Sequence, residues 1–172
     1  MLKVLLVIAY RDFQPLEYGA PKKVLENGGV EIITASNKLG AAISSNNAQE
    51  AKVNLLVKDT KAEDYDGVFF IGGPGALENL DNEDSYKLIK DAQTKCKVFG
   101  AICISPRILA VTGVLKGKKA TGWDGDDELE SILKKAGAQY VREPVVTDGN
   151  LITASGPVAA EEFGRVILDK LK

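Results

Sequence analysis

The chain of 172 residues holds two cysteines, and one of them, Cys103, stands where chemistry is easiest to build. In "KVFGAICISPRILA" an apolar run stops at the cysteine. A helix is due to follow, because Ser105 suits an N-cap and Pro106 the first helical position. A thiol at that junction faces free backbone N–H groups and the positive end of a helix, both of which favour the thiolate. The tight strand-to-helix turn is also the geometry of a nucleophile elbow, which holds a side chain clear of the sheet. A second reading stays open, in which Cys103 is a small buried hydrophobe ending a strand. The usual partner of a working thiol is absent, since the chain contains no histidine.

Two other stretches could complete a site. Glu17, in "RDFQPLEYGAP", falls in the first turn of a helix begun by Pro15. An acid there serves either as a partner of the helix dipole or, reaching over the sheet, as a proton carrier for the thiol. In "IGGPGA", Gly72 and Gly73 leave backbone N–H groups unshielded, which suits an oxyanion hole as well as a tight turn. The stretch lacks the G-x-G-x-x-G fingerprint of a dinucleotide site, for which its next helix is also expected too late, and it lacks the Gly-Lys-Ser/Thr of a P-loop. Without histidine no Ser-His-Asp triad can be assembled, and with no cysteine cluster a zinc site is excluded. The acids Asp124, Asp126 and Asp127 in "DGDDELE" read as the acidic start of a helix rather than a metal loop.

Such residues need a scaffold. "KVLLVIAY", "VEIITAS", "DGVFFI" and "KVFGAI" are short apolar runs with the look of strands buried on both faces. Between them lie amphipathic stretches such as "NEDSYKLIKDAQTK" and "DDELESILKKAG", acidic at the start and basic at the end. Asn37 to Val57 is less regular and suggests short edge strands or a hairpin. Asp148-Gly149 marks a hairpin near the end, and "PVAAEEFGRVILDKL" closes as a helix. This alternation predicts one domain over residues 1–172, a doubly wound α/β fold with a mostly parallel sheet and helices on both faces, in three layers. In such folds ligands bind beyond the carboxyl ends of the strands, where Cys103, Gly72 and Glu17 all fall.

Composition narrows the classes. Basic and acidic residues nearly balance, 22 against 24, so nucleic-acid binding has no electrostatic support. No apolar run approaches the roughly 20 residues of a membrane span. With no leader pattern at the start and no paired cysteine framework, the cytoplasm is the expected compartment. Cys96 and Cys103 should lie roughly 20 Å apart at opposite ends of one strand, too far for a disulfide.

"DYDGVFFIGGPGA", "GAICISPRILA" and "VVTDGNLITASGP", in this order, resemble the PfpI intracellular-protease and Parkinson-disease protein deglycase superfamily, over essentially the whole chain. The resemblance implies a flavodoxin-like core related to the class I glutamine amidotransferases. It implies Cys103 as the reactive cysteine, Glu17 as its protonated partner, and backbone oxyanion donors at Gly72, Gly73 and Ile104. A substrate pocket near Arg11, Trp123 and Asp124 is expected, with no metal and no cofactor. Homodimers or larger homo-oligomers are implied as well. The chain departs from the family where Ile104 and Trp123 stand in places that carry histidine in other members, and where Ser105 replaces glycine. Peptidase or other hydrolase activity is therefore the weakest reading. Ahead of it stand an enzyme of the glyoxalase III or deglycase kind, acting on a small carbonyl or glycated substrate, and a redox-sensing stress protein whose Cys103 is oxidised to sulfinate.

Overall fold

The computed structural model describes all residues, Met1 to Lys172. In chain order the strands are β1 (Lys3–Val7), β2 (Arg11–Phe13), β3 (Glu31–Ser36), β4 (Gly40–Ser44), β5 (Glu50–Val53), β6 (Leu55–Leu56), β7 (Gly67–Phe70), β8 (Val98–Ile102), β9 (Lys119–Ala120), β10 (Gln139–Tyr140), β11 (Val145–Asp148) and β12 (Leu151–Ala154). The helices are α1 (Pro15–Asn27), α2 (Ala76–Leu80), α3 (Glu83–Thr94), α4 (Pro106–Thr112), α5 (Leu129–Lys135) and α6 (Ala160–Leu171).

A seven-stranded sheet runs in the order β11-β12-β8-β7-β1-β3-β6. All its pairs are parallel except β11 with β12. From β1 the chain steps outward through β3 to β6, then returns to the other side of β1 for β7, β8 and β12. The order therefore reverses between β1 and β7, and that switch point opens a crevice beyond their carboxyl ends.

Alternation along β1 sorts the core into two layers. Val4, Leu6 and Ile8 join Leu25 of α1 and Phe163 and Ile167 of α6 on one face. Leu5, Val7 and Ala9 join Leu88 and Ile89 of α3, Ile108 and Leu109 of α4, and Leu133 of α5 on the other. Both sides of the strand are buried, which is why "KVLLV" shows an unbroken apolar run instead of polar alternation. The result is the flavodoxin-like three-layer arrangement.

Local signals behave as their chemistry requires. The Asn82 side chain accepts from Ser85 N at 3.3 Å and starts α3, and left-handed Gly113 (φ 86) stops α4. The irregular segment after β3 becomes the β4–β5 antiparallel hairpin, joined by β2 into a small separate sheet. The hairpin between β11 and β12 turns on Gly149 and Asn150, one residue later than the Asp148-Gly149 pair suggests. The expectation of a late helix after "IGGPGA" is corrected: α2 starts at Ala76, immediately after Gly75. Within α1, Pro21 sits against Gly164 of α6 so closely that a Cβ at 164 would lie 2.7 Å from the proline Cα.

Candidate active site

Cys103 follows β8 directly and adopts φ 65, a left-handed conformation uncommon outside glycine. The surrounding structure holds it there. Its N–H donates to the Ala154 carbonyl at 2.9 Å, and its carbonyl accepts from Trp123 N at 2.7 Å. The strand-to-helix elbow expected from the sequence is thus present, with α4 beginning at Pro106. Ser105 occupies the N-cap position without capping. Its buried hydroxyl donates instead to the Ile71 carbonyl at 2.7 Å, joining the elbow to the end of β7.

Glu17 reaches the same point from the first turn of α1. That turn is fastened by Gln14, whose side chain accepts from Glu17 N at 2.8 Å and whose own N–H donates to the Gly72 carbonyl at 3.0 Å. The Glu17 side chain is fully buried. Oε2 accepts from Gly72 N at 2.9 Å, while Oε1 is buried with no hydrogen-bonded partner of its own. The Cys103 thiol is the other group that the carboxyl faces. Gly72 permits this approach: a Cβ there would stand 2.5 Å from Glu17 Oε2 and 2.7 Å from Cys103 Cβ.

Burial raises the carboxyl pKa from 4.5 to about 7, against the opposing pull of the thiol and the Gly72 amide. The thiol is pushed upward as well, by burial first and then by the Glu17 charge and hydrogen bond; the Ile104 amide and the Arg107 charge oppose the rise. The expectation that the helix end would lower the thiol pKa is therefore corrected. Desolvation and a buried carboxylate outweigh the short α4, and the two groups titrate as a pair. Protonation of Glu17 removes the negative charge that opposes the thiolate.

Both side chains open on a cavity of about 500 Å³, lined also by Gln14, Gly73, Pro74, Leu77, Ile104, Trp123 and Pro157. Of the residues expected in the site, Cys103, Glu17, Gly73, Ile104 and Trp123 converge there. Gly72 lies beneath them with its N–H already given to Glu17, so it is a support for the carboxyl and not a free oxyanion donor. The Gly73 N–H makes no hydrogen bond within the chain, and the Ile104 N–H faces the sulfur.

Arg11 and Asp124 are placed elsewhere. Arg11 belongs to β2 and lies against the Tyr10 ring. Asp124 accepts from Leu129 N at 2.9 Å at the start of α5 and pairs with Arg142. Asp126 is held by Arg107, and no group of three or more Asp, Glu or Cys side chains converges as metal ligands would. Sequence reasoning missed Arg107 and Gln14. Arg107 had a signal, its place one helical turn after the cysteine, whereas nothing in the sequence marks which backbone Gln14 serves.

A doubly wound sheet with a cysteine elbow at its switch-point crevice, backed by a buried glutamate, defines a flavodoxin-like class of proteins with a thiol–carboxyl pair. Comparison with known proteins gives the family. Residues 2–170 match the DJ-1/PfpI family, and the chain belongs to it. An uncharacterised protein of Methanocaldococcus jannaschii is 39% identical over 171 residues, covering 99% of this chain and 82% of that one. Among solved structures, a ThiJ/PfpI domain protein from Brachyspira murdochii superposes with a TM-score of 0.92 at 27% identity, covering 98% of this chain and 95% of its own. Drosophila melanogaster DJ-1beta superposes with a TM-score of 0.87, also at 27% identity, covering 99% and 90%. No helix of the chain is long and apolar enough to cross a membrane.

Proposed function

We propose that this protein is a cysteine-dependent enzyme that converts small reactive carbonyls, in the manner of a glyoxalase III or deglycase. The observation that carries the reading is the buried Glu17 carboxyl, held by the Gly72 amide and facing the Cys103 thiol, with both side chains lining one cavity. One proton shared by the pair, when it rests on Glu17, leaves the sulfur as thiolate. The thiolate adds to the aldehyde carbon of a 2-oxoaldehyde, and Glu17 protonates the new alkoxide to give a hemithioacetal. The ionised Glu17 then removes the hydrogen on that carbon and returns it to the neighbouring carbonyl carbon. The hydroxyl proton passes between the two oxygens, and the Gly73 and Ile104 amides hold the developing oxyanion. Water hydrolyses the resulting thioester to a 2-hydroxy acid and restores the thiol. In sum, one oxoaldehyde and one water give one hydroxy acid.

Lactate formation from methylglyoxal by the purified protein tests this. Turnover that disappears in Cys103→Ser supports it, and equal inactivity of both proteins from pH 6 to 9 overturns it. The same buried carboxyl favours a second reading, in which a protonated Glu17 donates to an oxidised sulfur. Two equivalents of peroxide would convert the thiol to sulfinate with release of two waters. A gain of two oxygens at Cys103, seen by peptide mass after mild peroxide, supports that reading; indiscriminate oxidation of both cysteines opposes it. Self-association into a homodimer or larger assembly belongs to the same proposal and is checked by sedimentation of the purified chain.

A further inference from the structure

Arg107, the second residue of α4, grips its surroundings in three ways. Its guanidinium forms a two-pronged pair with Asp126, at 2.9 and 2.7 Å, and donates to the Trp123 carbonyl at 3.2 Å. It also lies over the Trp123 ring, 5.5 Å from the centroid. The arginine side chain is 11% exposed and the aspartate 37%, so the ion pair is oriented with its cation inward. Nε is buried with no hydrogen-bond partner. Trp123 in turn touches the site twice, through its N–H on the Cys103 carbonyl at 2.7 Å and through its side of the cavity.

We propose that Arg107 is a positioning residue for the Cys103 site, clamping the Trp123 wall against the elbow. Its charge also favours the Cys103 thiolate, the smallest of the influences on that thiol and opposite in sign to Glu17 of α1. Lysine would supply the charge without the fork, because only the planar guanidinium holds Asp126, the Trp123 carbonyl and the indole face together. The inference rests on Cys103 as the working centre proposed above, but not on any substrate. Its test reads no turnover, so its failure is separable from failure of the carbonyl reading.

Iodoacetamide labelling of the full chain, followed at each cysteine by peptide mass from pH 6 to 10, measures the charge effect, with Cys96 as internal control. The chain has a single tryptophan, so acrylamide quenching of its fluorescence reports on the Trp123 wall alone. In Arg107→Met, Cys103 labelling at pH 8 should fall about twofold, with Cys96 unchanged. Quenching of the tryptophan should rise about twofold. Arg107→Lys should recover most of the labelling rate but not the quenching. Wild-type quenching in Arg107→Met, or wild-type quenching in Arg107→Lys, would overturn the proposal. Should the Met variant fail to fold, Asp126→Asn decides: quenching must rise while labelling holds or increases, and unchanged quenching refutes the clamp.

Discussion

The two cysteines stand at opposite ends of β8, and both adopt a left-handed backbone, φ 54 at Cys96 and φ 65 at Cys103. Both are free thiols. Cys96 is exposed in the turn after α3, where its carbonyl accepts from Asn150 Nδ2 at 2.9 Å and its flanking Lys95 pairs with Glu63. No buried acid faces it. Cys103 is half-buried, with Glu17 and the Ile104 amide directed at its sulfur. The comparison separates two things often taken together. A strained backbone presents a side chain at both ends of the strand, but partners converge on the sulfur only at the carboxyl end.

The largest effect that can break this contrast is on turnover. Cys103→Ser should lower methylglyoxal conversion by about a thousand-fold or more, and Cys96→Ser should stay within about twofold of wild type. Comparable losses in the two variants would erase the distinction.

The buried acid provides the next test. Because folding raises the Glu17 pKa from 4.5 to about 7, the native state binds a proton that the unfolded chain releases. Its contribution is fully present below pH 4.5 and is lost as pH rises through 7, about 3 kcal/mol in all. Glu17→Gln offers an acceptor to Gly72 and a donor to the sulfur at every pH, so it should flatten that slope between pH 5 and 8. Urea unfolding at the two pH values checks it, and an unchanged slope would place the proton elsewhere.

The smallest contrast lies in the glycines beside each cysteine. Gly72→Ala forces a methyl group against Glu17 and Cys103 and should cost about 2 kcal/mol, with loss of turnover. Gly149→Ala, in the turn beside Cys96 at φ 60, should cost about 1 kcal/mol and leave turnover intact. Denaturation midpoints with activity assays rank the two, and equal effects on activity would argue against a polarised strand.

Much of the scaffold was legible because buried parallel strands write themselves as apolar runs, and "KVLLV", "GVFF" and "VFGAI" all do so. The elbow was legible for the same reason, since Ser105-Pro106 after an apolar run leaves the chain few choices. What stayed hidden is how polar groups are partnered across the fold. In sequence Gly72 reads as an oxyanion donor and Ser105 as a cap, but the Gly72 N–H is given to Glu17 and the Ser105 hydroxyl to the Ile71 carbonyl. Arg11 and Asp124 had the right charges near the right segments, yet side-chain direction sends both away. The sign of the thiol pKa shift is hidden from the sequence, because the helix end is visible there and burial beside a carboxylate is not.

Pro21 in α1 has a consequence for how faithfully the acid is aimed. A proline has no N–H, so the carbonyl of Glu17 lacks the rung that the residue four places on would otherwise supply. The turn bearing Glu17 is moored to the strand end by Gln14 and Gly72 more firmly than to the helix it opens. Any displacement of α1 and α6 against the sheet would be taken up at this missing rung. The carboxyl would then keep its aim with β7 and the elbow, as a gunsight fixed to the barrel and not to the stock.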